Sequence, residues 1–316
     1  GPEVIEVSLE QLHPLGVGEA LVRVEAVGLN HAETLIRSGS YAVRLPFPFA
    51  LGGEGAGTVL AAGPEATVAA GTRVCWAAVL GSCANFLVVP SSMVVAIPEN
   101  LSAEQAACLA VAGLTAGGLV RVWPLQKEST AVVWGAAGAV GRMLVALLAD
   151  RGVNVIGVAS GGRVDALRAA GAADVIDRST EDVRDAVRAH SKGRGADAVF
   201  DPIGASTFQT SLQMLAPRGC LINYGELSGP VPAIELRELF PGSVFVTKYN
   251  GMRWVEGTDE FAGLISQALT MAAKRPAVIS EIAGRFSLDD AVEAYRALES
   301  GPQGKVLVIP SHNASQ

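Results

Sequence analysis

Trp134-Gly135-Ala136-Ala137-Gly138-Ala139-Val140-Gly141 is the stretch that decides how this chain is read. An apolar, β-branched run at 131–134 precedes it, and an apolar helical stretch at 139–150 follows it. Small residues at a strand-to-helix turn let the backbone approach a phosphate closely. The helix N-terminus then offers unpaired N–H groups and a favourable dipole. Aligned on G-x-G-x-x-G, Ala136 stands at the first glycine, and Gly138 and Gly141 fill the other two. A tight connection that binds nothing has a similar composition, so the surrounding pattern has to decide between the two.

That pattern is a regular alternation. Strands are expected at 131–134, 153–159, 174–176, 196–200 and 220–223, and helices at 139–150, 164–170, 181–190 and 207–215. Strand–helix alternation at this spacing predicts a parallel sheet covered by helices on both faces, and it favours the dinucleotide reading of the loop.

The flanks differ. Short strands are expected at 20–27, 58–60, 73–77 and 86–89, separated by Gly and Pro turns, with a helical stretch at 32–37 and a helix start at Ser102. After about residue 245 the order is mixed, with helices at 261–273 and 288–298 and strands at 278–282 and 305–309. A β-rich start, an α/β middle and a mixed end describe one domain interrupted by another, and 316 residues suffice for two cores.

Half the residues are hydrophobic and only 17% are charged, which fits a globular chain rather than a disordered one. A formal net charge of −7 argues against nucleic acid or an anionic membrane as main partner. The apolar run at 106–120 is shorter than the roughly 20 residues a membrane span needs, and Thr115 and glycines interrupt it. Gly1-Pro2-Glu3 opens no basic-then-apolar segment, so a secretory leader is not expected. The four cysteines form no C-x-x-C pair, and a cytoplasmic, reducing setting is expected. In that setting the sequon Asn313-Ala314-Ser315 carries no meaning.

Sites for NAD place an acid roughly 20 residues past the loop, to hold the ribose 2′-hydroxyl. This chain has Ala159-Ser160-Gly161-Gly162-Arg163 there, with no acid. Ser160 and Arg163 suit a 2′-phosphate, and Arg178, just past the next strand, adds positive charge. NADPH is therefore the expected cofactor. A solvated Arg163 in the first turn of a helix is the plainer alternative.

Several further motifs stand in one order: Asn30-His31-Ala32-Glu33, Arg37-Ser38-Gly39-Ser40-Tyr41, Gly52-Gly53-Glu54-Gly55-Ala56-Gly57, Gly113-Leu114-Thr115-Ala116, the 135–141 loop and Gly304-Lys305. This order resembles the medium-chain dehydrogenase/reductases, and specifically the zeta-crystallin-like quinone oxidoreductases, over almost the whole chain. The resemblance implies an α/β protein with a GroES-like, β-rich substrate domain (1–112 and 251–316). A Rossmann domain with a doubly wound parallel sheet (113–250) is inserted into it, and the cofactor lies in the cleft between the two. It also implies a first strand ahead of Gly1. Zinc-dependent members ligate the metal with a Cys just before a His and with a His in the glycine-rich segment. Asn30 and Gly53 occupy those positions here, and neither replaces thiolate or imidazole. A zinc-free enzyme is expected, one that delivers hydride from NADPH to a quinone or an α,β-unsaturated carbonyl compound.

Under the resemblance, Asn30 and Tyr41 are the catalytic candidates, facing the acceptor oxygen. Asn30 also suits a helix N-cap and Tyr41 a packing role. The cofactor candidates are Thr115 in the Gly-Leu-Thr-Ala turn, Ala137, Gly138, Ala139, Val140, Ser160, Arg163, Arg178, Gly225, Ser228 and Lys305. Tyr249 and Asn250 are candidates for the substrate side, and the loops at 42–49 and 249–254 are expected to shape the pocket. A homodimer is expected, paired through a sheet-edge strand near 243–247. Two other readings remain: an enoyl-thioester reductase of a polyketide or fatty-acid pathway, and a non-catalytic NADPH-binding protein. A serine hydrolase is not supported, because the G-x-S-x-G elbow is missing.

Overall fold

The computed structural model describes residues 1–41, 44–256, 258–301 and 303–311. The sequon at Asn313 and the first two residues of the 42–49 loop lie outside the described residues. In chain order the structure has β1 (Glu19–Gly28), α1 (His31–Arg37), β2 (Glu54–Ala62), β3 (Arg73–Ala77), β4 (Phe86–Pro90), β5 (Val94–Ala96), α2 (Ala103–Ala107) and α3 (Ala110–Val122). There follow β6 (Thr130–Trp134), α4 (Ala139–Asp150), β7 (Asn154–Ala159), α5 (Val164–Ala170), β8 (Asp174–Asp177), α6 (Val183–His190), β9 (Ala196–Asp201), α7 (Phe208–Gln213), β10 (Leu215–Asn223) and β11 (Phe245–Lys248). The chain closes with α8 (Gly251–Val255), α9 (Glu260–Lys274), β12 (Ile282–Ser287), α10 (Ala291–Glu299) and β13 (Lys305–Ile309).

The chain divides into two compact units. The first comprises Gly1–Leu114, Thr258–Lys274 and Ile279–Gln316, and the second Thr115–Gly257 and Arg275–Val278. The first unit is built on a sheet of order β12-β13-β1-β2-β3-β5, with β4 also paired to β1. Every pairing in it is antiparallel except β12 with β13. β1 explains why such a sheet forms. Its buried residues Ala20, Val22 and Val24 alternate with half-exposed ones, the period of a strand with one covered face.

The second unit holds a six-stranded, wholly parallel sheet of order β11-β10-β9-β6-β7-β8. Numbered from its own first strand this is 3-2-1-4-5-6, the order of a Rossmann fold. The direction of winding reverses between β6 and β9, and ligands bind outside the carboxyl ends of strands at such a point. All five residues of β6 are buried, as two-sided coverage requires.

Three local expectations are corrected. The helix placed at 207–215 ends at Gln213, because Leu215 already pairs with Ala196 in the parallel ladder. The strand placed at 278–282 begins only at Ile282. Pro276, which lacks an N–H to donate to a ladder, opens a 3-10 turn at Pro276–Val278 instead. Thr115 lies inside α3 rather than in a turn. Gly113 and Gly118 are tolerated there because neighbours come close. A Cβ on Gly113 would meet the Ala268 Cβ, and one on Gly118 the Tyr249 hydroxyl.

Candidate active site

In the second unit the loop after β6 is shaped by contacts that only small residues allow. Gly135 has φ +60°, a left-handed conformation that suits glycine. A Cβ on Gly141 would collide with the Gly135 carbonyl and lie 2.7 Å from Ala136 Cα. The Ala136 N–H donates to the Val158 carbonyl at 3.1 Å, tying the loop to β7. Gly138 is the N-cap of α4 and is exposed, while Ala139 and Val140 are half-buried at its first turn. Ala137 is 8% exposed, so its contribution is through backbone alone. N–H groups of a first helical turn have no partner within the helix, and here those of Ala139 and Val140 belong to half-buried residues able to meet an anion.

At the ends of β7 and β8 the structure joins two of the sequence candidates. Arg178 Nε donates to Ser160 Oγ at 3.1 Å, and the Arg178 N–H bonds the Ala159 carbonyl at 3.0 Å. Arg163 is half-buried at the N-cap of α5. Asp177 stands beside Arg178, an acid that the sequence reading passed over. The Ser179 hydroxyl and N–H hold its carboxyl below the usual range, with smaller help from the N–H groups of Gly161 and Gly162.

The loops after β9 and β10 form one braced pair. Asp201, wholly buried, accepts from the N–H of Ile203 (2.7 Å) and Gly204 (3.2 Å) and from the hydroxyls of Thr207 (2.7 Å) and Ser211 (3.0 Å). Ser211 in turn accepts from Trp134 Nε1 at 2.9 Å, which links this network to the end of β6. Ser228 donates to the Ile203 carbonyl (2.8 Å) and accepts from the Ser206 N–H (3.0 Å). Its hydroxyl therefore braces the two loops. A Cβ on Gly225 would run into the Pro202 carbonyl. Tyr249 is 9% exposed, packed against Gly118 and the Trp254 ring (centroids 5.9 Å apart). Asn250 caps α8, its Oδ1 accepting from the Arg253 N–H at 3.2 Å. Both residues expected on the substrate side thus also have structural duties, the Tyr249 ring in packing and the Asn250 amide oxygen in capping α8.

In the first unit Asn30 sits at the centre of a polar cluster. Its Nδ2 donates to the Gly28 carbonyl (3.2 Å) and to Glu54 (2.9 Å), and its Oδ1 accepts from Lys305 (2.8 Å). Lys305 also forms an ion pair with Glu54, whose other oxygen accepts the Val111 N–H at 2.7 Å. Both side chains are buried. Two of the sequence candidates thus have partners within the first unit. Lys305 gives two of the three N–H donors of its ammonium to Glu54 and Asn30. Asn30 stands at the N-cap of α1 without capping through its side chain. Glu33 caps instead, accepting the Asn30 N–H at 3.0 Å. Burial pushes the Glu33 carboxyl up, and donation from the Tyr295 hydroxyl and the Asn30 N–H opposes the shift. Tyr41 follows α1 with its side chain exposed (39%) and its N–H bonded to the Leu35 carbonyl at 3.1 Å.

The sequence reading missed Glu54, Asp177, Asp201 and Arg142. Asp201 and Arg142 had a signal: an ionisable residue within or closing an apolar run, which folding buries only with partners.

Residues 16–127 match the family model of the alcohol dehydrogenase GroES-like domain, and residues 139–270 match that of the zinc-binding dehydrogenases. A quinone oxidoreductase of Pseudomonas aeruginosa is 34% identical over 98% of this chain and 97% of its own length. A 2-haloacrylate reductase of a Burkholderia species is 30% identical over 93% of this chain and 92% of its own. The crystal structure of the Escherichia coli quinone oxidoreductase in complex with NADPH superposes with a TM-score of 0.88 at 29% identity, covering 98% of this chain and 97% of that one. The chain belongs to the quinone oxidoreductase family of the medium-chain dehydrogenase/reductases. It has that family's GroES-like and Rossmann domains.

Proposed function

We propose that the protein is an NADPH-dependent reductase of quinones or α,β-unsaturated carbonyl compounds that works without zinc. The observation that carries this reading is the glycine loop at the point where the parallel sheet reverses, with Ser160 and Arg178 joined at the end of the next strand. NADPH, when bound, supplies the hydride. The N–H groups of Ala137, Ala139 and Val140, with the open backbone at Gly138, suit its pyrophosphate. Ser160, Arg178 and Arg163 suit its 2′-phosphate. Gly225, whose lack of a side chain keeps its loop tight against Pro202, Ser228, which braces that loop, and Thr115 serve its nicotinamide half. In this account the NADPH domain is 113–250 and the substrate domain is 1–112 with 251–316.

Tyr41 is the proposed donor to the acceptor oxygen, because its phenol stands on the surface. Both Nδ2 hydrogens of Asn30 are engaged and its Oδ1 can only accept, so in this account Asn30 serves the reaction by holding the Lys305 ammonium in place rather than by donating to the acceptor oxygen. The donor set does not suit zinc. Asn30 and Gly53 stand at the positions that carry ligands in zinc-dependent members, and among the described residues no group of three or more His, Cys, Asp and Glu is placed to hold a metal ion. The test is turnover with benzoquinone, a simple enone and crotonyl-CoA, before and after dialysis against a chelator. Turnover of the first two, untouched by the chelator, supports the reading. Saturation by crotonyl-CoA alone would point to an enoyl-thioester reductase. Loss of activity on dialysis would overturn zinc independence.

We also infer a homodimer paired along β11. This strand is the edge of the parallel sheet, and Leu236, Phe240 and Phe245 beside it are 82%, 82% and 51% exposed. Sedimentation equilibrium checks it, and a monomer at micromolar concentration would contradict it. A cytoplasmic setting fits the four free thiols. Among the described residues no helix is long and apolar enough to cross a membrane.

A further inference from the structure

Arg142 lies in the first turns of α4 and is followed by an unbroken run of buried apolar residues. It is itself buried, at 5% exposure. A guanidinium is costly to desolvate unless its donors find acceptors, so its position needs a reason. Its Nε donates to the Ala137 carbonyl at 3.0 Å. Helical side chains lean toward the N-terminus, which is how a residue inside α4 reaches back to the loop that precedes it.

This bond completes a clamp. The peptide unit between Ala137 and Gly138 is now held at both ends. Its carbonyl is bound by Arg142, and its N–H donates to the Gly135 carbonyl at 2.9 Å. A peptide held twice cannot rotate. If it did, the negative end of its dipole would turn toward any anion seated on the first turn of α4. The buried guanidinium also places a full positive charge beneath that turn, where low dielectric strengthens its field.

Building on the cofactor reading above, we propose that Arg142 is a positioning residue for the dinucleotide pyrophosphate. It holds the Ala137–Gly138 peptide and supports the bound anion from inside the protein, without forming part of the exposed loop surface.

The experiment is calorimetric titration of wild type, Arg142→Met and Arg142→Lys with two ligands. One is NADPH, and the other is adenosine 2′-phosphate, which carries the adenosine end but no pyrophosphate. Arg142→Met is expected to raise the Kd for NADPH about tenfold, and to leave that for adenosine 2′-phosphate within about twofold of wild type. Arg142→Lys keeps the charge and loses the Nε donor, and is expected to weaken NADPH about threefold with the same selectivity. It carries the test if the Met variant does not fold. Equal weakening of both ligands would mean a general loosening of the unit and would overturn the proposal, as would NADPH affinity unchanged in the Lys and Met variants. Failure of wild type to bind NADPH at all would instead overturn the cofactor reading on which the proposal rests.

Discussion

Lys305 donates to Asn30 Oδ1 over 2.8 Å while closing a buried ion pair with Glu54. The last strand of the chain thereby sets the orientation of an amide near its beginning. Because both Nδ2 hydrogens are also bound, the amide of Asn30 has one orientation consistent with its neighbours. Removing one member of a buried pair leaves the other charge uncompensated. Lys305→Met is expected to cost about 3–5 kcal/mol of folding stability by urea unfolding, and Glu54→Gln added to it should recover part of that loss. A double variant no more stable than the single one would contradict the pairing.

Tyr41 is expected to act in turnover rather than in cofactor binding. Tyr41→Phe should lower kcat by about a hundredfold while leaving the Kd for NADPH unchanged. Single-turnover hydride transfer at saturating NADPH checks this. An unchanged rate would assign Tyr41 to packing.

Arg178 and Asp177 should act in opposite directions on cofactor choice. Arg178→Ala removes the guanidinium bound to Ser160, and is expected to reduce the preference for NADPH over NADH about tenfold. Asp177→Asn removes a negative charge from the same strand end and should strengthen NADPH binding. Fluorescence titrations of both variants with both cofactors provide the comparison. A shift in the same direction for both would place the 2′-phosphate elsewhere.

Glu33 sets a pH dependence of stability. Burial raises its carboxyl above the ordinary 4.5. The folded state then binds more protons than the unfolded state through that window, so stability falls as pH rises through it. Glu33→Gln removes the titration while keeping an acceptor for the Asn30 N–H. Its thermal midpoint should fall less than that of wild type as pH rises above 4.5, and parallel profiles would contradict this account.

Much of the fold was legible because its signals are local. The bounds of β3, α4, α5 and β13 follow from runs of apolar periodicity closed by Gly, Pro or charged residues. That the middle of the chain forms a parallel sheet was implied by the glycine loop and the alternation around it. The end of α7 was not legible, because the pairing of Leu215 with Ala196 competes with helix propensity, and pairing across the sheet leaves no trace in the window being read. The site was legible where small residues mark close backbone approach, as at Gly141. It was not legible at Lys305, whose partners Glu54 and Asn30 lie far away in sequence. A lysine next to a glycine looks the same whether its charge meets a phosphate or a buried carboxylate.

The most direct test is the loss of NADPH absorbance with purified protein and benzoquinone, run beside NADH at equal concentration. The account predicts oxidation of NADPH at least about tenfold faster than NADH in kcat/KM, the ratio expected of one charge-assisted contact to the 2′-phosphate. Equal rates with the two cofactors would contradict the 2′-phosphate site. NADPH binding without oxidation, across both quinone and enone acceptors, would contradict the reductase itself.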